Sequence, residues 1–339
     1  MPTMNTGARP VPDATFKVTM NNQDVTAVLS PYLVSVTYTD HLEGEADTLD
    51  ITVEDTDGLF KDQWYPKKGQ TLALEFGYEG QALQSAGLFE VDEIDISGPP
   101  DQVTIRGIAT GVMKAFRTSQ GRAYDNTTLS AIAQQVAKRL KLKLVGTIEA
   151  IQITRATQIY ESDLAFLGRL AGEYGYAFSI KGETLIFYKR TALRSSAPVL
   201  TLKRTDLERY HIRDKIKDVA KAAQVSYHDA KTKRLKQSRV QQGAQLDTSD
   251  YEVKINVRAE SDAQARVKAA AALDKANEDA TQLELTVFGN PLLVAGINFM
   301  LADMGKLSGS YHVDMSRHIS NRDSGYSTEL EAKRVTSNG

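Results

Sequence analysis

Glu161 and Asp163, with Glu173 further along, are the carboxylates whose type and spacing could do chemistry. Two carboxyl groups held in different environments can protonate a leaving oxygen and activate a water, which is how glycosidic bonds are cleaved. His312 and Asp314 form a second candidate, because residues two apart on a strand share a face and could offer a divalent metal one nitrogen and one oxygen. Each has a plainer reading. Acids gather at helix starts because the helix dipole favours them there, and a polar strand face needs no metal. No H-E-x-x-H, G-x-S-x-G or P-loop pattern occurs. Gly168, Gly172 and Gly175 fall within and at the end of a helical pattern, so they are no dinucleotide fingerprint. The residues thus point to no catalytic, cofactor-binding or metal-binding set.

The elements that must hold these carboxylates are legible. Ser162 can accept the orphan N–H groups of a helix whose first residue is Asp163. Leu164, Leu167, Leu170, Ala171 and Tyr174 recur at helical spacing, and Gly175 supplies a left-handed stop before a strand. A hairpin follows, Tyr176 to Ile180 against Thr184 to Tyr188, turning at Lys181-Gly182. Upstream, Leu129, Ile132, Ala133, Val136 and Leu140 trace a second helix after a cap at Thr127 or Thr128.

This α+β stretch lies between two β-rich regions. From Phe16 to about Thr110 short alternating runs, such as Thr48–Val53, Thr71–Phe76 and Val103–Arg106, read as strands with one buried face. Asn21-Asn22, Asp57-Gly58 and Gly98-Pro99-Pro100 are the turns between them. After Pro198 the β character returns, interrupted by one Ala-rich helix that starts at a Ser261–Gln264 capping box and runs to about Asn277. Tyr311, Val313 and Met315, a turn near Asp323-Ser324-Gly325, and Thr328, Leu330 and Ala332 make a closing hairpin. The expected division is an arm over 1–15, a β domain over 16–116, an α+β insert over 117–197 and a second β domain over 198–339. Two β regions around an insert suggest a distant duplication.

Composition narrows the class. Hydrophobic residues at 41% and charged residues at 25% suit a soluble globular chain. Without cysteine there can be no disulfide, thiolate metal site or cysteine nucleophile. No basic n-region followed by an apolar run opens the chain, so no secretory signal is expected, and the longest apolar run, Leu292 to Ala302, is too short to span a bilayer. A cytoplasmic origin without membrane insertion is expected.

Charge is uneven. Asp40 to Asp57 holds eight carboxylates and no Lys or Arg, and Lys203 to Arg239 holds twelve Lys or Arg against five acids. Solvated faces, complementarity between copies packed head to tail, and a charged channel wall all remain open. With only Tyr210 and Tyr227 among those bases, sequence-specific nucleic-acid binding is not expected. Trp64-Tyr65-Pro66 ahead of Lys67-Lys68-Gly69 is either an interface anchor or a cap on the β core.

Four stretches together resemble the late control gene D family, the baseplate hub proteins of contractile-tailed bacteriophages and related injection machines. They are Asp24–Thr26 with Pro31–Asp40 and Glu45–Ile51; Glu54–Phe60 with Trp64–Gly69; Gly98–Gly107 with Thr128-Leu129 and Glu161–Tyr176; and His318 with Gly325-Tyr326-Ser327-Thr328 and Leu330. Their order spans about residues 20 to 335. The resemblance marks Trp64, Tyr65, Pro66, Glu161, Ser162, Asp163, His318, Gly325 and Tyr326 as family-motif or interface candidates. It implies a β-rich α+β protein with two tail-tube-like β-barrel or sandwich domains flanking a small α+β insert. It also implies a non-enzymatic homotrimer that joins a sixfold tail tube to a trimeric membrane-puncturing spike. Further partners would be other baseplate proteins and the tape-measure protein. Such a hub is made in the bacterial cytoplasm and ends in the baseplate of a phage tail or a tail-like bacteriocin particle. The competing readings are a tail-associated peptidoglycan-cleaving enzyme and a cell-wall-binding module.

Overall fold

The computed structural model describes residues 13–43, 45–109, 119–217, 219–229, 232–243 and 249–335. The arm expected over the first dozen residues and the expected start of the insert at 117 lie outside them. The first β module holds β1 (Ala14–Met20), β2 (Gln23–Asp24), a short α1 (Thr26–Leu29), β3 (Leu33–His41), β4 (Thr48–Glu54), β5 (Thr71–Tyr78), β6 (Gln84–Ser97) and β7 (Gln102–Ala109). The insert follows with β8 (Ser119–Thr128), α2 (Leu129–Leu140), β9 (Lys143–Val145), β10 (Gln152–Ser162), α3 (Asp163–Glu173), β11 (Tyr176–Lys181), β12 (Thr184–Lys189) and α4 (Arg190–Arg194). The remainder runs β13 (Thr201–Lys203), β14 (Leu207–Asp214), β15 (Ala222–Asp229), β16 (Arg234–Gln241), β17 (Glu252–Asn256), α5 (Asp262–Asn277), β18 (Thr281–Phe288), β19 (Asn298–Ala302), β20 (Gly309–Asn321) and β21 (Gly325–Arg334).

Local chemistry sets most of these boundaries. Thr128 Oγ1 accepts from Ala131 N at 3.1 Å, and Ser162 Oγ from Ala165 N at 3.2 Å, so each helix begins where a hydroxyl meets its free donors. Leu129, Ile132, Ala133 and Val136 then bury one stripe of α2 against α3 and the β11–β12 hairpin. Gly175 ends the α3 turn at φ +76°. At α5 the expected capping box is only half made. Ser261 Oγ accepts from Gln264 N, but Gln264 Oε1 takes the N–H of Glu260, because its Nε2 is drawn to Tyr174 OH and Gln152 O on the insert.

The two β modules form one thirteen-stranded sheet, with main path β14-β18-β21-β20-β3-β4-β7-β6-β5-β1-β2 and β19 and β13 branching from β20. β20 joins the modules by pairing with β3, Arg317 opposite Thr39 and His318 opposite Tyr38. Within each module the same path recurs. β3-β4-β7-β6-β5-β1 in the first matches β14-β18-β21-β20-β19-β13 in the second, strand for strand in chain order. The register matches too. Leu33 and Leu207 each precede a bulge, and Leu49 faces Gly107 as Leu283 faces Ala332. Val91 and Val313 each precede a bulge at an aspartate, Asp92 or Asp314. One difference is that β1 pairs antiparallel with β5 whereas β13 pairs parallel with β19.

Between β14 and β18 the chain leaves this sheet. β15, β16 and β17 form a separate three-stranded sheet, and α5 covers it with Ala265, Ala269 and Leu273 against Ala223, Val225 and Tyr227. The alternating pattern after Pro198 hides this unit, since its strands carry the same period as those of the large sheet. The acidic run finds its counterions inside the chain. Lys181 at the insert hairpin bonds Asp40 and Asp47, Arg190 bonds Glu43, Arg106 bonds Asp50 and Arg322 bonds Glu54.

Candidate functional site

The seam between β20 and β3 gathers the motif residues from the end of the chain. His318 is buried there beside Tyr38, Phe76 and Tyr326. Its Nδ1 lies 2.9 Å from Tyr326 OH and its Nε2 3.0 Å from Ser316 Oγ, whose hydroxyl donates to Leu293 O. A neutral ring with the proton on Nε2 satisfies all of these, and burial pushes the His318 pKa down to about 4. Tyr78 of the first module donates to Gly289 O of the second, and its ring stacks on Phe288. Gly325 starts β21 at φ +75°, the left-handed turn position that glycine supplies without strain. His318 and Tyr326 are therefore internal to one chain and fix how its two modules meet.

The carboxylates considered for acid–base work are each engaged by a basic side chain. Asp163 accepts from Arg139 Nε at 3.0 Å and Nη2 at 2.8 Å, and from Gln158 Nε2 at 3.0 Å. Burial raises its pKa, but those charge-assisted bonds outweigh burial and hold it below the usual aspartate range. Glu161 meets Arg169 at 2.6 Å, and Glu173 meets Lys268 at 2.7 Å. Asp163 is thus held ionised by its partners, and with the Glu161–Arg169 pair it braces the start of α3. A cleft of about 510 Å³ between the Glu43–Ala46 loop, α3 and β11 is lined by neither of them.

His312 and Asp314 do stand near one another, since Lys333 lies opposite His312 and bonds Asp314, but both are engaged inside the protein. His312 turns inward to Asn298 Oδ1 at 2.7 Å, and Asp314 goes to Lys333 Nζ at 2.7 Å. The described residues hold no group of three or more His, Asp or Glu placed to bind a metal. Trp64 packs edge-on against Tyr32 and Phe60 yet stays 37% exposed, and Tyr65 stays 46% exposed, so this cluster caps the core and also faces solvent.

Two strand edges leave no local mark in the sequence. β5 covers β6 only as far as Glu90, so beyond Val91 the outer edge of β6 has no strand beside it among the described residues. β14 ends the sheet at the other side. Ile96 is 45% exposed on one edge and Tyr210 40% on the other. Alternation of an apolar with a charged face, in runs too short to name a partner, was the available signal.

A protein-family model described as phage tail baseplate hub (GPD) matches residues 101–324. The chain belongs to this family. It is 36% identical over 201 residues to a probable baseplate hub protein of Escherichia phage 186, covering 58% of this chain and 51% of that one. To the probable baseplate hub protein of Escherichia phage P2 it is 34% identical over 215 residues, covering 62% and 54%. The chain thus spans about half the length of the curated relatives it matches. A tail protein from Neisseria meningitidis MC58 has the same fold, with a TM-score of 0.71 at 14% identity over 95% of this hub-family chain and 97% of that chain. The β-rich α+β fold and the family expected from the sequence both stand.

Proposed function

We propose that this chain is a non-enzymatic baseplate hub subunit, three copies of which close into a ring between the sixfold tail tube and a trimeric spike. The observation that carries the reading is the duplication. Two modules with one strand path, fused through β20 and β3, let three chains offer six similar units to a sixfold neighbour. In this reading a tube-like module over 16–116 and a second over 198–339, less its separate β15–β17 sheet and α5, make the ring, and an insert over 117–197 lies outward and buttresses the neighbours. Trp64 and Tyr65 are surface contacts in this scheme, whereas Pro66 is buried. Tube protein, spike, other baseplate proteins and the tape-measure protein are the partners, met in the bacterial cytoplasm during assembly. The hub then transmits the thrust of a contracting tail by holding tube and spike together.

Light scattering with electron microscopy tests this, on the chain alone and co-expressed with its spike. The expected species is about 112 kDa, three chains of 37.3 kDa, seen as a threefold ring. A chain that stays at 37.3 kDa in both settings refutes the ring.

A further inference from the structure

The geometry points to one contact between copies: the open edge of β6, from Glu93 to Ser97, pairs antiparallel with the β14 edge of a second copy of this chain. The inference rests on the ring reading and gives it a register.

The internal duplication supplies the argument. β20 is paired along one side by β21. On its other side β19 covers the start of the strand and β3 the rest. β6 is the first-module counterpart of β20. It has β7 on one side, and β5, the counterpart of β19, covers the start of the other. The place that β3 fills on β20 is vacant on β6 among the described residues. The counterpart of β3 is β14, whose outer edge is also vacant and which cannot reach β6 within one chain because the whole sheet lies between them. Only β14 of another copy fits, and repeating the step head to tail closes a ring in which internal and intermolecular seams alternate.

The matched bulges fix the register. With Asp92 equivalent to Asp314, and Leu207 to Leu33, the seam pairs Met315–His41, Arg317–Thr39, His318–Tyr38 and Ile319–Thr37 transfer directly. They become Glu93 opposite Lys215, Asp95 opposite Arg213, Ile96 opposite Ile212 and Ser97 opposite His211 of the neighbouring copy. The fifth seam pair, Ser316–Asp40, becomes Ile94 opposite Asp214, whose Oδ1 is taken by the Thr281 hydroxyl; the pairs on either side of it agree in chemistry. Ile96 lies beside core-facing Val103, and Ile212 beside core-facing Leu283, so the apolar sides align. Glu93 and Asp95 meet Lys215 and Arg213 on the opposite side, acid to base. Asp95 and Arg213 are exposed and have no ion pair among the described residues. Glu93 is already bonded to Arg106, so the match still open is Asp95 with Arg213, and because the mapping used no charge information it is an independent agreement.

The test uses Asp95→Arg, Arg213→Asp and the double variant, sized by light scattering. Each single change places like charges opposite each other and is expected to shift the mass from trimer to 37.3 kDa; the double swap is expected to restore it. A second variant reads the register itself. Ser97→Cys with His211→Cys, in a chain that otherwise lacks cysteine, is expected to oxidise to a covalent trimer on a non-reducing gel. A trimer that both single charge variants preserve, with no disulfide formed, overturns the β6–β14 pairing and leaves the ring reading intact. A wild-type chain that stays monomeric, alone and with its spike, overturns the ring and this pairing together.

Discussion

Lys181 Nζ lies 2.6 Å from Asp47 Oδ2, and this contact ties the hairpin tip of the insert to the first β module. The same ammonium bonds Asp40, which also accepts the N–H of Ala295 from the second module. Burial alone would discharge the lysine, but the two carboxylates outweigh it and raise its pKa. Lys181→Met strands two carboxylates whose side chains are 5% exposed. The expected loss is about 3–5 kcal/mol, because an orphaned buried charge keeps its desolvation cost. Urea unfolding checks this, and adding Asp47→Asn should recover part of the loss. An unchanged midpoint would mean that the insert docks by apolar contact alone.

How much of this could be read from the sequence divides by distance along the chain. The caps at Thr128 and Ser162 and the two hairpins depend on residues a few positions apart and are found, except that the insert hairpin turns one residue later than read, at Gly182-Glu183, with Lys181 still paired to Thr184. The counterions of the Asp40–Asp57 run were not legible, because its partners Lys181, Arg190 and Arg322 come from distant segments. The seam was illegible for the same reason, since nothing local pairs β20 with β3. The partners of His312 and Asp314 were illegible likewise, because Asn298 and Lys333 come from neighbouring strands rather than from β20 itself.

His318 makes stability depend on pH, and the sign follows from its neutral, buried state. Its folded pKa of about 4 lies below its ordinary value of 6.5, so the unfolded chain binds the proton first as pH falls. The contribution is complete above about pH 6.5 and disappears between 6.5 and 4, about 3 kcal/mol at 1.4 kcal/mol per unit. Glu43, Asp47 and Asp314, whose pKa values burial raises, pull in the opposite direction. The informative quantity is therefore the difference between wild type and His318→Gln, measured by urea unfolding at pH 7 and pH 4.5. The variant should lose less stability on acidification, and parallel curves would exclude His318 as the titrating group.

Gly289 has no room for a side chain. A Cβ there would lie 2.1 Å from Tyr326 Cδ1 and 2.2 Å from Cγ, and that ring is held by its bond to His318. Gly289→Ala must push the ring or the Tyr78 contact at the seam, an overpacking cost of about 1–3 kcal/mol. Gly121→Ala, with nothing within 4 Å, is the control. Calorimetry should show a lowered melting temperature for Gly289→Ala alone.

Asp163 and Glu161 separate a structural from a hydrolytic reading of the same motif. Asp163 links the start of α3 to Arg139 in the last turn of α2, and Arg139 Nη2 also bonds Tyr124 OH at 2.8 Å. Losing its charge leaves a partly buried guanidinium without its partner, so Asp163→Asn should cost about 2–4 kcal/mol. Glu161→Gln weakens a half-exposed pair with Arg169, and such pairs are worth about 1 kcal/mol or less. A structural motif thus predicts a large stability loss at Asp163, a small one at Glu161, and no change in the turbidity of a cell-wall suspension with wild type or either variant. A catalytic pair predicts clearing by wild type that both variants abolish, whatever their stability. Urea unfolding and the turbidity assay, run on the same three proteins, distinguish the two because a bidentate Arg139 bond affects folding and a general acid affects turnover.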